Sequence, residues 1–171
     1  TRGDEIAGGL GGQMALPGRE VVVRVGDGSY MMMNSELATA VMLGRKLVVV
    51  VLDNRGFGCI DRLQRASGAE SFNNLLDDAV HETPAHIDFA AHMAAMGART
   101  EKVSSIAELE AALARARASE TTTGIVIDTD PAITTQAGGA WWNVAVPEVS
   151  TRAEVRAARA AYEQATTRRR P

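Results

Sequence analysis

The sequence predicts a doubly wound α/β domain: a mostly parallel sheet of about five or six strands with helices on both faces. Three observations carry this. Residues 20–25 and 47–52 are nearly continuous runs of valine and leucine, the pattern of strands covered on both sides. One helix-length segment separates them, which makes a βαβ unit with parallel strands and a right-handed crossover. Strand and helix patterns then keep alternating as far as residue 128.

Taken in order, residues 4–15 read as a small-residue helix with Ile6, Ala7, Leu10 and Met14, interrupted by Gly8, Gly9, Gly11 and Gly12. Those glycines weaken a helix, so close backbone packing is their expected reason. The strand over 20–25 ends in the turn Gly26-Asp27-Gly28. Asn34 or Ser35 caps a helix whose buried side is Leu37, Ala40 and Val41, and Gly44 stops it. The strand over 47–52 closes at Asp53-Asn54 and enters the glycine-rich turn Arg55-Gly56-Phe57-Gly58. Residues 64–82 lack a clear period and read as a long loop with some helix. Ile87, Phe89, Ala90, Met93 and Ala94 suit a helix over 85–96, ended by Gly97, with a strand over 98–103 after it. Ser105 and Glu108 form a capping box for a helix to about Ala118, followed by a buried strand over 124–128. Thr151 and Glu154 form a second capping box, opening a polar C-terminal helix and tail over 151–171.

The 171 residues suffice for one core, so a single domain over 1–171 is expected. Eighteen Lys plus Arg against 21 Asp plus Glu give a net charge of −3, which argues against a nucleic-acid or membrane surface acting by field alone. Arg168 to Arg170 is a basic tail. The single Cys59 excludes an internal disulfide, and His81, His86 and His92 are not at zinc-ligand spacing. No apolar run approaches the length of a membrane helix, and the first residues lack the apolar core of a signal peptide. The expected compartment is a reducing cytoplasm.

In open parallel sheets ligands bind beyond the carboxyl ends of the strands, and there the sequence places Asp27, Asn54 and most of its loop glycines. Asp27 offers an anionic oxygen, Asn54 an amide oxygen and Gly56 a backbone carbonyl. Three such oxygens with open positions suit Mg²⁺ completed by water and a ligand's phosphates. Gly26 and Gly28 let the backbone approach that ligand, the amides of Ser29 and Tyr30 can donate to it, and Asn34 lies nearby. Gly-Asp-Gly alone is a weak signal, since tight turns recruit both residues. Asn54, 27 residues after Asp27 at the same sheet edge, strengthens it.

Gly26-Asp27-Gly28-Ser29 followed by Asn54 resembles the cofactor motif of the thiamine diphosphate-dependent enzymes. The resemblance implies thiamine diphosphate anchored through Mg²⁺ by Asp27, Asn54 and the Gly56 carbonyl. Asp53 departs from the family's usual asparagine pair, at the position that is not a ligand. The segments 28–36 (GSYMMMNSE), 52–60 (LDNRGFGCI), 72–78 (FNNLLDD) and 138–150 (GGAWWNVAVPEVS) narrow the likeness to the trihydroxycyclohexane-dione hydrolases of myo-inositol breakdown. That implies ring opening of a cyclic diketone substrate to 5-deoxyglucuronate. It also implies a pyrimidine-binding domain, with its activating glutamate, and a middle domain, neither of which fits in 171 residues. The chain therefore resembles the C-terminal diphosphate-binding part alone, expected to be inactive in isolation, to need a pyrimidine-binding domain from the rest of the enzyme or another chain, and to form a homo-oligomer. Arg2 and Asp4 stand where the family carries apolar and aromatic residues, which points to a boundary near Thr1.

Other residues have plainer readings. Glu36 suits a helix N-terminus, Met31 to Met33 and Met42 suit adaptable packing, Cys59 suits a small buried position, and Trp141 and Trp142 either anchor a loop or line a surface. A nicotinamide domain fails, because the third glycine of its fingerprint would fall at Met31 and Asp27 would repel a pyrophosphate. A P-loop fails for want of Gly-Lys-Ser/Thr. An acetolactate synthase-like or 2-oxoacid decarboxylase-like enzyme shares the metal motif, and a detached assembly module is the non-enzyme alternative.

Overall fold

The computed structural model describes residues 3–133 and 144–167. Its strands are β1 (Val22–Gly26), β2 (Val48–Asp53), β3 (Arg99–Val103) and β4 (Thr123–Asp128). Its helices are α1 (Glu5–Ala15), α2 (Asp27–Met32), α3 (Ser35–Met42), α4 (Gly58–Ala66), α5 (Phe89–Ala95), α6 (Ile106–Ala118) and α7 (Ala153–Thr167). The described residues form two compact units, one of residues 3–56 with 82–130, the other of residues 57–81 with 131–133 and 144–167.

The first unit holds one fully parallel sheet in the order β1-β2-β4-β3, with Val22 level with Val48 and Val48 level with Thr123. Four strands are therefore present among the described residues, where five or six were expected. The α/β class and the βαβ unit stand. β2 lies inside the sheet, and its four consecutive valines are all buried. β1 differs from its expectation. At the sheet edge it buries Val23 and Val25 on one face, while Val22 and Arg24 on the other are exposed.

The two faces are covered unequally. Ile6 and Leu10 of α1, Leu37 and Ala40 of α3, and Phe89 and Met93 of α5 close over Val23, Val25, Val49, Val51 and Val126. On the other face Ala112 and Ala116 of α6 meet Val48, Val50, Ile125 and Ile127, with Leu109 and Leu113 alongside. Each fully buried Val, Leu or Ile contributes roughly 1.5–3 kcal/mol through removal from water, so these two clusters carry the unit. Of the α1 glycines, Gly9 has the expected reason: a Cβ there would sit 2.4 Å from Val23 Cγ2. Around Gly8, Gly11 and Gly12 a Cβ would meet nothing within 4 Å, and the structure gives no packing reason for them.

Ser105 Oγ accepts from the Glu108 amide at 3.2 Å, as a capping box requires, but the Glu108 carboxylate turns to the Ser104 amide at 2.7 Å. The Ser104 amide and hydroxyl, both donating to it, hold the Glu108 carboxyl below its usual value. The helix expected over 85–96 starts only at Phe89, because Asp88 caps it by accepting from the Ala91 amide at 2.9 Å. Gly26-Asp27-Gly28 is not an irregular turn. Gly26 is the N-cap of α2, and Asp27 opens that helix.

In the second unit α4 runs from the end of the expected turn into the start of the expected loop, whose remaining helical part is a 3-10 turn, Leu76–Asp78. Gly68 (φ +83°) lies so close to the start of α7 that a Cβ would stand 2.5 Å from the Glu154 carbonyl carbon and oxygen. Only glycine fits there. The C-terminal helix begins at Ala153, where Ser150 Oγ, and not Thr151, accepts from the Arg152 amide at 3.1 Å. Trp141, Trp142 and Arg168 to Arg170 lie outside the described residues.

Candidate functional site

The register Gly26–Leu52 puts the ends of β1 and β2 side by side, so the residues that follow each strand meet at the carboxyl edge of the sheet. From β1 comes Asp27, first residue of α2 and buried. From β2 comes a tight turn in which Arg55 (φ +60°) and Gly56 (φ +146°) both take left-handed backbone conformations. The chain accepts this at Arg55 because Asp53 Oδ1 takes the Arg55 amide at 2.9 Å, the side-chain-to-backbone bond that aspartate makes in turns.

Asp27 ties the two halves together. Its Oδ1 accepts from the Asn54 amide at 3.2 Å and its Oδ2 from the Gly56 amide at 2.7 Å. Burial pushes its carboxyl above the ordinary value; the Asn54 and Gly56 amides oppose that shift, and the neighbouring Asp53 charge adds to it. A carboxylate so placed gains from a nearby cation.

The Asn54 carboxamide supplies the informative detail. It turns one terminal atom to the Gly56 carbonyl oxygen at 2.8 Å and to Asp27 Oδ1 at 3.2 Å. With the nitrogen there, both contacts are ordinary hydrogen bonds. With the oxygen there, three oxygens face one another, an arrangement that a cation between them makes favourable. Neighbouring ligands of an octahedral ion bound at about 2.1 Å stand roughly 3 Å apart, and these separations bracket that value. The donor set of carboxylate, amide and carbonyl oxygen suits a hard ion. No group of three His, Cys, Asp or Glu side chains offers an alternative among the described residues.

The structure thus brings together Asp27, Asn54 and Gly56, with Gly26 and Gly28 on the adjoining backbone. Ser29 is buried, with its amide ahead of the first internal bond of α2. Tyr30 and Asn34 are placed differently. Tyr30 is fully buried, with its ring edge-on to Phe89 at 5.5 Å and its Oη 2.7 Å from His92 Nδ1. Its amide is the fourth of α2, the first that a helix uses for an internal bond, so it is not available in the way the turn reading expected. Asn34 Nδ2 donates back to the Tyr30 carbonyl at 3.1 Å. Two contributors were missed. Asp53 shapes the β2 turn, a role signalled by an aspartate two residues before the left-handed position, and His92 partners Tyr30, for which no sequence signal exists.

Residues 1–128 match the family described as "Thiamine pyrophosphate enzyme, C-terminal TPP binding domain". A 3D-(3,5/4)-trihydroxycyclohexane-1,2-dione hydrolase of Bacillus cereus is 41% identical over 162 residues, covering 91% of this chain and 25% of the relative. A hydrolase of the same name from Bacillus anthracis is 40% identical over 166 residues, with the same coverage. The chain spans about a quarter of the length of these curated relatives. Among solved structures, a thiamine diphosphate-dependent 4-hydroxybenzoylformate decarboxylase of Rhodococcus jostii superposes with a TM-score of 0.66 at 24% identity, over 75% of this chain and 23% of that one. Benzoylformate decarboxylase of Polynucleobacter necessarius gives 0.62 at 24%, over 76% and 23%. At that identity the two share the fold with this chain. The resemblance to the trihydroxycyclohexane-dione hydrolases is met by named relatives along almost all of the sequence.

Proposed function

This chain belongs to the thiamine pyrophosphate enzymes as their C-terminal TPP-binding domain, and we propose that it holds the diphosphate and Mg²⁺ of a hydrolase that opens trihydroxycyclohexane-1,2-dione to 5-deoxyglucuronate in inositol breakdown. The observation that carries the reading is 41% identity to such a hydrolase across 91% of the chain, and the meeting of Asp27, Asn54 and the Gly56 carbonyl supports its metal half. When bound, thiamine diphosphate supplies an electron sink for breaking the carbon–carbon bond beside a ketone.

The chain's own part is to bind and orient. Asp27 Oδ1, the Asn54 side-chain oxygen and the Gly56 carbonyl would hold Mg²⁺, a hard ion that prefers such oxygens together with diphosphate oxygens and water. Gly26 and Gly28 keep the adjoining backbone approachable, and the amides of Gly28 and Ser29, ahead of the first internal bond of α2, would be available to donate to the phosphates. Tyr30 and Asn34 belong to the support of that segment. The activating glutamate comes from a pyrimidine-binding domain in the rest of the enzyme or another chain, assembled as a homo-oligomer, so the chain alone turns nothing over.

The test is incubation of the dione with the chain alone and with the chain joined to a pyrimidine-binding domain. Formation of 5-deoxyglucuronate only in the second case, and only with thiamine diphosphate and Mg²⁺, is the expected result. Turnover by the chain alone contradicts the division of labour. Decarboxylation of a 2-oxoacid with no action on the dione replaces the substrate assignment.

A further inference from the structure

We propose that Tyr30 and His92 are a positioning pair that holds Asp27 in register for the cation, so that the affinity of the metal site is set in part by a hydrogen bond outside it. The inference rests on the metal reading above and adds His92, which that reading does not use.

The argument starts from the shortness of α2. A helix of six residues, Asp27–Met32, with no side-chain bond at its N-cap, cannot hold its own geometry by internal bonds. Its placement must come from tertiary contacts. The three methionines that follow Tyr30, Met31 to Met33, are 44–55% exposed and contribute little. Tyr30 is the anchor: fully buried, edge-on to Phe89 and hydrogen-bonded through its hydroxyl to His92. It lies three residues after Asp27, nearly one turn along the same side of the helix. Its carbonyl is held as well, by Asn34 Nδ2.

The partner element is firmly placed. Asp88 caps α5, Met93 is buried against β4 where a Cβ at Gly124 would come within 2.5 Å of its Sδ, and Gly97 just beyond the helix abuts Val41 of α3, with a Cβ there 2.9 Å from Val41 Cγ1. Phe89, His92 and Met93, spaced three and four apart, form the side of α5 that carries these contacts. The ring of Tyr30 supplies burial, which a phenylalanine would keep. Its hydroxyl adds direction, because burying it without a partner is costly and His92 Nδ1 meets that need. The pair therefore selects one orientation of α2, and with it one position of the Asp27 carboxylate against Asn54 and Gly56.

The experiment titrates Mn²⁺, as a spectroscopic substitute for Mg²⁺, into the full chain with saturating thiamine diphosphate, followed by EPR, for the wild type, Asp27→Ala, Tyr30→Phe, His92→Leu, His92→Asn and the double variant Tyr30→Phe/His92→Leu. The wild type should bind and Asp27→Ala should not. Tyr30→Phe and His92→Leu should each weaken Mn²⁺ roughly fivefold, about what one hydrogen bond transmits. The double variant should be no weaker than either single one, and His92→Asn, which keeps a hydrogen-bonding side chain, should recover most of the loss. A packing role alone would give additive losses and no rescue by asparagine. Binding by the wild type with unchanged affinity in Tyr30→Phe and His92→Leu, or additive losses, overturns the pair while leaving the metal reading intact. Absence of binding in the wild type, or equal binding by Asp27→Ala, overturns the metal reading and the pair with it.

Discussion

The two halves of the candidate site are made in opposite ways. The β1 half is regular: Gly26 has an ordinary extended conformation (φ −76°), Asp27 begins a helix, and Tyr30 fixes that helix in the apolar core. The β2 half is irregular, with two successive positive-φ residues, and it keeps its shape through two aspartates, Asp53 on the Arg55 amide and Asp27 on the Asn54 and Gly56 amides. A helix presents a carboxylate well. A backbone carbonyl turned to the same point requires the chain to leave regular structure. Asp27 is thus both candidate ligand and organiser of the opposite half.

The largest effect should therefore come from Asp27→Ala. It removes the anionic oxygen and leaves two amides without an acceptor, so metal-dependent binding of thiamine diphosphate should vanish and stability should fall by about 1–3 kcal/mol with the fold retained. Calorimetry and thermal melting read both. Unchanged cofactor affinity would remove the metal assignment. Next comes the contrast between glycines. Gly56→Ala forces a side chain to φ +146°, at about 1–3 kcal/mol, and should weaken the metal at least tenfold. Gly26→Ala meets nothing within 4 Å and should melt within about 1 kcal/mol of the wild type. Equal melting losses in the two variants would erase the distinction between the halves.

A smaller effect concerns pH. Burial raises the Asp27 carboxyl, so protons compete with the cation, and the stabilisation given by Mg²⁺ plus cofactor should shrink as pH falls from neutrality into the acid range. The metal-free chain should trend the other way. A carboxyl whose folded pKa is raised contributes stability below its unfolded value, and that contribution is lost as pH rises through the folded value. Melting curves with Mg²⁺ and with chelator across this range test both signs. The smallest effect is that of Asp53→Asn. The amide oxygen still accepts from Arg55 while the charge that helps raise Asp27 is gone, so the pH profile should move slightly to lower pH with little change in melting.

The same division explains what the sequence made legible. β2, with four buried valines, and the return of Asn54 to the sheet edge of Asp27 follow from long-range burial that leaves a continuous apolar pattern. The meeting of Asp27, Asn54 and Gly56 was legible because residues that follow neighbouring parallel strands gather at one edge of the sheet. α2 was not, since six residues are too few for a helical period and its glycines imitate a turn. α4 has no capping residue, only Phe57 at its N-cap, and so no start signal. The face of β1 left open shows the limit of composition: valines alone do not say whether a strand is central or at an edge. Tyr30 was legible as a neighbour of the site but not as its anchor, because His92 lies 62 residues away and only the fold brings it close.

The central claim, that Asp27, Asn54 and the Gly56 carbonyl form a cation-dependent diphosphate site, is tested most directly by calorimetric titration of thiamine diphosphate into the chain, with Mg²⁺ and with chelator, for the wild type and Asp27→Ala. The account expects weak binding heat that appears only with Mg²⁺ and only in the wild type. Heat that persists in chelator or in Asp27→Ala, or no heat under any condition, would contradict it.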